Sequence, residues 1–231
     1  MGRPRRVTAG NIVYHVLNRA NRRARIFHKP RDYEAFLRIL GQGLERTPCR
    51  VLGLCLMPNH WNLVLWPHAD GELSRLMAWI SNTHVKRYRQ HYHDRIGGHL
   101  YQGRFKSFPV QEDGHLLTVL RYVEANPLRA GLAQRTREWA WSGDALSNGP
   151  FASLLSDWPI PRPADWSQWV ESRWKQEELD EVRASVERGR PFGQNAWVEA
   201  TAKRLGLEMT LRTHGGKRAC KTHDTHASIN P

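Results

Sequence analysis

Two short polar stretches carry the side chains in this sequence that are best suited to chemistry. The first is residues 57–62 (MPNHWN), which open an apolar stretch that ends at Trp66. If this stretch is a β-strand, His60 and Asn62 share one face, because successive strand side chains point to opposite faces. An imidazole nitrogen and an amide oxygen can together coordinate a divalent cation. The alternative is that His60 is a hydrogen-bonded core residue.

The second stretch is residues 120–127 (LRYVEANP), which has the pattern of a helix that ends at a proline. Tyr122 and Asn126 are four positions apart, so we expect them on one helical face. A tyrosine hydroxyl can attack phosphorus when a metal ion polarises the phosphate, and Asn126 could supply an oxygen ligand to that metal. The alternative is a tyrosine that packs with its hydroxyl at the surface and an asparagine that caps the helix.

Taken together, the two stretches resemble the HUH single-tyrosine transposases, and more closely their REP-associated tyrosine transposase branch. The resemblance extends from residue 5 to residue 210, and its most specific piece is residues 122–132 (YVEANPLRAGL). Further matching stretches are residues 14–19 (YHVLNR), 102–107 (QGRFKS) and 191–197 (PFGQNAW).

This resemblance implies a DNA strand nuclease and transferase that works without ATP. In that family the strand histidines and a Gln or Asn near the tyrosine hold Mg²⁺ or Mn²⁺, so His60 and Asn126 correspond to metal ligands. Tyr122 corresponds to the nucleophile that attacks a single-stranded DNA phosphate, leaving a 5′-phosphotyrosine link and a free 3′-OH. The implied partner is single-stranded DNA folded as a hairpin at an imperfect palindrome, bound by a monomer or a homodimer.

One position departs from the family pattern. The family has His-x-His where this chain has His60, Trp61 and Asn62. Asparagine offers a neutral oxygen that suits Mg²⁺, but it lacks the imidazole that binds transition metals strongly, and its amide cannot act as a base. We therefore expect Asn62 to be a weak third metal ligand, with attenuated cleavage and retained DNA binding.

The elements that position these residues can be predicted from apolar spacing. Strands are expected over residues 12–17, 50–56, 60–66 and 101–110, and helices over residues 32–44, 72–93 and 114–125. This order predicts an α+β fold of the ferredoxin-like kind, an antiparallel sheet covered by helices, with a C-terminal helical appendage.

Proline- and glycine-rich segments divide the chain into four predicted parts. These are a catalytic domain of the HUH single-tyrosine transposase kind (1–147), a Pro/Trp-rich linker (148–172), a helical appendage (173–211) and a mobile basic tail (212–231). We expect the tryptophans of the linker to pin it onto the catalytic domain.

The charge of the chain points to a polyanionic partner. Among 231 residues, 35 are Lys or Arg and 22 are Asp or Glu, which gives a formal net charge of +13. Residues expected to contact DNA phosphates are Arg19, Arg22, Arg23, Arg104 and Lys106, the last two from one face of the fourth strand. The alternative is a solvated, repelling basic surface.

Other features limit the class of protein. No apolar run approaches the roughly 20 residues of a membrane span, and no long apolar region follows the N-terminus, so neither membrane insertion nor export is expected. Three cysteines without CxxC spacing argue against a disulfide framework and against a cysteine zinc site. A cytoplasmic, nucleoid-associated location is expected.

Two other functions fit the same features. One is a descendant of the family that only binds palindromic DNA, as an accessory or regulatory protein. The other is an RNA-binding ferredoxin-like module, because the same sheet architecture also serves RNA recognition.

Overall fold

The centre of the protein is a four-stranded antiparallel sheet, in a computed structural model that describes residues 8–93 and 98–212. The first half contains β1 (Val13–Arg19), α1 (Pro30–Arg46), β2 (Cys49–Met57), β3 (His60–Pro67), α2 (Glu72–Tyr92), β4 (Lys106–Val110), α3 (Gly114–Glu124) and α4 (Asn126–Arg129). Later helices are α5 (Gly143–Leu146), α6 (Trp166–Glu171), α7 (Gln176–Arg188) and α8 (Asn195–Leu205). The sheet order is β2-β3-β1-β4, and each neighbouring pair is antiparallel. The predicted α+β class is confirmed.

Both faces of the sheet are covered, which explains why the strands are apolar almost throughout. On one face, α1 and α2 pack against strand side chains such as Val16, Leu54 and Leu63. On the other face, α3 packs against side chains such as Val64 and Phe108. A polar side chain on this second face therefore lies buried between strand and helix.

Helix α3 approaches the sheet closely at Gly53. A Cβ atom at this position would lie 2.6 Å from Cδ2 of Leu120, so a larger residue would push the helix outward. At its start, the side chain of Asp113 accepts a hydrogen bond of 2.8 Å from the backbone N–H of His115 and caps the helix. The close approach holds Tyr122, two positions beyond Leu120, near the strands.

The fourth strand is shorter than predicted. It covers Lys106–Val110 instead of residues 101–110, and Tyr101 pairs with Ala20 through an isolated bridge. Residues 102–104 form bends, in which the carbonyl of Gly103 accepts a hydrogen bond of 3.3 Å from the Asn18 side chain. The expectation that Arg104 and Lys106 share a strand face is therefore wrong.

Much of the C-terminal part, including α6 and α7, packs on the face of the sheet that carries α3, whereas Leu205 of α8 joins the core under α1 and α2. Nε1 of Trp158 donates a hydrogen bond of 2.6 Å to the carbonyl of Leu52, and Trp166 is buried in the same core. Beyond α7, Phe192 forms an isolated parallel bridge with Val110 and covers the edge of β4. Tryptophans of the predicted linker thus anchor it to the sheet. The domain limits stay a prediction, and the predicted basic tail lies outside the described residues from residue 213 onward.

Two further observations concern the part of the chain that the structure describes. No helix there is long and apolar enough to cross a membrane. Cys49 and Cys55 are free thiols, the first half-buried and the second buried. Cys220 lies outside the described residues.

Candidate active site

Polar side chains meet where β1 runs beside β3. In this antiparallel pair, Leu17 lies opposite Asn62 and Arg19 lies opposite His60. Opposed residues share a face of the sheet, and alternation places His15 on that face as well. The face is the one covered by α3. We call His15, Arg19, His60 and Asn62 the strand cluster.

Asn59 fixes the orientation of the His60 ring. Its Nδ2 donates a hydrogen bond of 3.2 Å to the carbonyl of Arg23, which turns its Oδ1 toward His60. The Nδ1–H of His60 then donates to that oxygen over 2.7 Å. Nε2 of His60 is consequently the unprotonated nitrogen, and its lone pair is free to bind a metal ion or a proton.

His15 and Asn62 form a buried pair. Nε2 of His15 donates a hydrogen bond of 3.1 Å to Oδ1 of Asn62, and the two residues are 0% and 3% exposed. The other polar atoms of the pair, Nδ1 of His15 and Nδ2 of Asn62, have no hydrogen-bond partner. Buried polar atoms of this kind are expensive unless something satisfies them, so the pair is a place where a ligand can act.

Both imidazoles are neutral near pH 7. Burial lowers the pKa of His15 to about 4, with a partial offset from its bond to Asn62. Burial, together with the positive charges of Arg19 and Arg129, lowers the pKa of His60 to about 3. A neutral imidazole is the form that serves as a metal ligand.

Tyr122 stands over the strand cluster from α3. Its ring lies edge-on to the ring of His15, with 6.2 Å between the centroids. On its other side, Trp174 is also edge-on, at 6.3 Å. Arg121 holds Trp174 there: its guanidinium carbon lies 4.0 Å from the Trp174 ring centroid, and its Nη2 donates to the carbonyl of Ser172 over 3.0 Å. The predicted nucleophile is thus half-buried in a fixed aromatic setting.

Arg129 is stacked on the predicted nucleophile. Its guanidinium carbon lies 4.2 Å from the centroid of the Tyr122 ring, and its Nη2 donates a hydrogen bond of 2.8 Å to the Tyr122 carbonyl. Burial lowers the pKa of Arg129, and the Tyr122 phenol partly offsets this. The same guanidinium acts on His60, so Arg129 connects the tyrosine with the strand cluster.

Asn126 is engaged in the backbone of the helix end. Its Nδ2 donates to the carbonyls of Tyr122 and Val123, over 3.3 and 3.1 Å. The backbone leaves the helical conformation at Ala125, so α3 ends before Asn126 and the short helix α4 begins there. Asn126 therefore caps α3, the alternative that the sequence left open, and its Oδ1 is the atom that could still face a ligand.

The predicted phosphate-contacting residues lie in two different places. Arg19 belongs to the strand cluster, whereas Arg22 and Arg23 are exposed in the turn after β1, at positive φ values of 51° and 56°. Lys106 is exposed and lies opposite Leu17, which places it on the face of the strand cluster. These four residues surround the same end of the sheet.

Arg104 is the exception. It lies outside β4 and lines a groove of about 1130 Å³ beside α2, together with Arg75, Arg89 and Asn18. The side chain of Asn18 points to the face that α1 and α2 cover, because it alternates with Arg19. The structure therefore does not bring Arg104 together with Tyr122.

The side chains at the strand cluster are suited to weak binding of a hard divalent cation. Within residues 8–93 and 98–212, no group of three or more His, Cys, Asp and Glu side chains could hold a metal ion. A site here must therefore include amide oxygens, as from Asn62 and Asn126, beside Nε2 of His60. Oδ1 of Asn62 accepts one hydrogen bond from His15, and its second lone pair is the one that could serve a cation.

Two residues of this site were missed by the sequence analysis. His15 lies in a strand of otherwise apolar pattern, and its proximity to Asn62 follows only from the β1–β3 pairing. The ferredoxin-like strand order, which the sequence predicts, was the available signal for it. For Arg129 the signal was its place in the matching stretch at residues 122–132, but its stacking on Tyr122 depends on the kink at Ala125.

Comparisons with known proteins support one family. The profile of the IS200-like transposases matches residues 8–126, which contain β1 through Asn126. The comparison with curated proteins gave no match.

Among solved structures, the chain is similar to a REP-associated tyrosine transposase bound to a REP hairpin. That similarity has a TM-score of 0.52 and 16% identity, and it covers 75% of this chain and 95% of the other. A candidate transposase from Deinococcus radiodurans R1 is similar with a TM-score of 0.36 and 15% identity, over 54% of this chain and 96% of the other. The first similarity shows a shared fold.

Proposed function

The chain belongs to the family of IS200-like transposases, and from this premise we propose that it cleaves and rejoins single-stranded DNA through Tyr122. The observation that carries the proposal is the position of the Tyr122 ring, edge-on to His15 at 6.2 Å. His15 is bonded to Asn62, and Asn62 shares its strand face with His60. The phenol ring thus lies beside His15, whose hydrogen-bond partner Asn62 is among the proposed metal ligands.

The proposed reaction is a transesterification at phosphorus. Tyr122 Oη forms a bond to the phosphorus of a DNA phosphodiester, and the bond from phosphorus to the 3′-oxygen breaks. The phenol gives up its proton and the leaving 3′-oxygen takes one up, so no oxidant, reductant or nucleotide cofactor is needed. The product is a 5′-phosphotyrosine and a free 3′-OH, and attack by a 3′-OH on the phosphotyrosine restores a phosphodiester.

A divalent metal, Mg²⁺ or Mn²⁺, would be held by Nε2 of His60 and by the amide oxygens of Asn62 and Asn126. When bound, it polarises the phosphate and stabilises charge on the leaving oxygen. All three ligands are neutral, so the phosphate oxygen of the DNA would supply the negative charge that a hard cation prefers. Metal affinity should accordingly be low in the free protein and higher with DNA.

The proposed substrate is a hairpin formed by an imperfect palindrome. The related REP-associated transposase has a REP hairpin bound in its structure, and the net charge of +13 supports a polyanionic substrate here. Arg19, Arg22, Arg23 and Lys106 would contact phosphates at the end of the sheet that carries Tyr122, whereas Arg104 would do so from the groove beside α2. Either a monomer or a homodimer is compatible with this substrate.

One observation favours a second function, a hairpin-binding protein with little or no cleavage. Oδ1 of Asn62 already accepts a hydrogen bond from His15. A ligand oxygen engaged in this way is less available to a metal than the imidazole that the family has at the same place. Asn62 therefore attenuates cleavage in the first function and abolishes it in the second.

The test is to incubate the protein with a pool of single-stranded hairpin DNAs in Mg²⁺ or Mn²⁺ and to look for an adduct that resists denaturant. We expect an adduct with the wild-type chain and none with Tyr122→Phe, which should bind the same DNA with nearly unchanged affinity. Sequencing of the trapped strand would identify the cleavage site.

The other outcomes separate the alternatives. Tight hairpin binding without adduct in either metal would favour the binding-only function. If RNA of matched sequence competes better than hairpin DNA, the chain is an RNA-binding module and the proposal fails. An adduct that persists in Tyr122→Phe would mean that another residue is the nucleophile.

A further inference from the structure

The unpartnered polar groups near Tyr122 include several hydrogen-bond donors. Buried nitrogens without a partner include Nη1 of Arg129, Nε of Arg19, Nδ2 of Asn62 and Nε1 of Trp174. Each of these residues contacts Tyr122 or belongs to the strand cluster that Tyr122 covers. Buried donors without acceptors are rare in proteins, and several around one side chain indicate a ligand that brings acceptors.

The charged side chains that act on His60 are also of one sign, positive. Besides His15, the groups that act on His60 are Arg19 and Arg129, and Arg183 from α7 acts on Arg129 in turn. The Glu178 carboxylate of α7 is paired with Arg121 at 3.2 Å. A half-buried site with unpaired positive charge and free donors is suited to an anion.

Arg129 is the donor best placed for an anion at the Tyr122 hydroxyl. Its plane is fixed by stacking on the Tyr122 ring and by the bond from Nη2 to the Tyr122 carbonyl. A second guanidinium nitrogen, Nη1, is buried and has no partner. The guanidinium is therefore held in one orientation with Nη1 unused, which is the preorganised arrangement that binds a phosphate oxygen without loss of side-chain freedom.

We propose that Nη1 of Arg129 binds a non-bridging oxygen of the phosphodiester that Tyr122 attacks. This inference rests on the proposed function and deepens it, because it names the residue that receives the scissile phosphate. Negative charge on the phosphoryl oxygens must be stabilised while the Tyr122 oxygen approaches phosphorus, and the guanidinium of Arg129 lies against the ring that carries this oxygen. Arg19 completes the site from the strand side.

The first experiment does not depend on cleavage. The guanidinium signals of the wild-type, full-length chain are followed by nitrogen-15 NMR during titration with inorganic phosphate, with the Arg129 signal assigned from its loss in Arg129→Lys. We expect a saturable shift of the Arg129 signal and no shift for Arg38, which is exposed and paired with Glu34 on α1. An unmoved Arg129 signal, or equal shifts for both arginines, would overturn the proposal.

The second experiment measures adduct formation on hairpin DNA by Arg129→Gln and Arg129→Lys. We expect the rate to fall on the order of 10²-fold for the glutamine variant and distinctly less for the lysine variant, because lysine keeps the positive charge. Both variants lose the stacked guanidinium, so a purely structural role predicts equal losses and would count against the proposal. Thermal unfolding of both variants verifies that they fold.

The two proposals can fail separately. If the wild type forms no adduct but the Arg129 signal shifts with phosphate, the phosphate site stands and the cleavage proposal fails. If the adduct forms through Tyr122 while the Arg129 signal stays fixed, cleavage stands and the assignment of Arg129 is wrong.

Discussion

His15 of β1 donates a hydrogen bond of 3.1 Å to Oδ1 of Asn62 on β3, and the pair lies buried beneath Tyr122. Asn62 is the position at which the chain departs from the His-x-His pattern of its family. The hydrogen bond shows how the departure is accommodated, because the amide has a partner from a neighbouring strand. It also occupies one of the two lone pairs of the oxygen that would serve a metal.

Replacing Asn62 by histidine should strengthen the metal site. A second imidazole binds transition metals more strongly than an amide oxygen, so we expect Asn62→His to raise Mn²⁺ affinity on the order of tenfold, or about 1.4 kcal/mol. Adduct formation on hairpin DNA in Mn²⁺ should rise with it. Isothermal titration with Mn²⁺ and a denaturing gel measure the two effects. Asn62→Gln keeps the amide and is the control that should gain neither. If cleavage does not rise in Asn62→His, Asn62 is not at a ligand position.

Much of the site could be predicted because its residues lie in short contiguous motifs. His60 and Asn62 share a strand face because they are two positions apart, and pairing confirms that β3 begins at His60. Tyr122 lies on the predicted helix. Arg104 was misplaced because the alternation of residues 101–110 suggests a strand, whereas Tyr101 is held by side-chain hydrogen bonds in the other core. The apolar spacing of the sequence cannot distinguish an aromatic residue buried in a strand from one buried in a loop.

What could not be predicted depends on contacts between distant elements. Trp174 lies beside Tyr122 because Arg121 binds the end of α6 and the segment after it, with Nε donating to the carbonyl of Trp169 over 2.9 Å and Nη2 to that of Ser172 over 3.0 Å. Nothing in the sequence near Trp174 indicates this contact. The stacking of Arg129 on Tyr122 could not be predicted either. It depends on the bend of the backbone at Ala125, which brings Arg129 back to the tyrosine ring.

Neutralising a phosphate-contacting residue should weaken the salt dependence of DNA binding. For single-stranded DNA, each lost phosphate contact lowers the slope of log K against log salt concentration by about 0.7. We expect this decrease for Lys106→Gln and for Arg22→Asn, the asparagine being chosen because Arg22 has a φ of 51°. Fluorescence anisotropy at several salt concentrations gives the slope. Arg38→Gln on α1 is the matched control, and an unchanged slope in Lys106→Gln would exclude Lys106 from the binding surface.

Removing the hydroxyl of Tyr101 should destabilise the fold. That hydroxyl accepts a hydrogen bond of 2.9 Å from Nε1 of Trp61 and donates one of 2.6 Å to Nδ1 of His84, all within the core. Tyr101→Phe leaves both nitrogens buried without a partner, so we expect a loss of about 1–3 kcal/mol in the free energy of unfolding. Urea denaturation measures the loss. Tyr92→Phe removes a hydroxyl whose partners, Asp32 and Lys29, stay in reach of water, and its smaller cost serves as the reference.

A buried carboxyl group makes stability depend on pH. Glu124 is 3% exposed, and both of its oxygens accept hydrogen bonds from the backbone N–H of Asp144, over 3.2 and 3.3 Å. A Cβ atom at Gly143 would lie 2.5 Å from Oε1 of Glu124, so the backbone approaches the carboxyl group closely here. Burial raises the pKa of Glu124 from 4.5 to about 8. The folded protein therefore keeps this proton over a range in which the unfolded chain has lost it.

Stability should consequently fall as pH rises from about 4.5 to about 8, because the unfolded state binds fewer protons than the folded state throughout that interval. Glu124→Gln retains an acceptor for the Asp144 N–H and carries no ionisable proton. We expect the free energy of unfolding of the variant to rise relative to that of the wild type with rising pH, by on the order of 4 kcal/mol at pH 8, as measured by urea denaturation at a series of pH values. Glu34→Gln, exposed on α1, should run parallel to the wild type. A constant difference between Glu124→Gln and wild type across this range would mean that Glu124 is ionised in the folded protein.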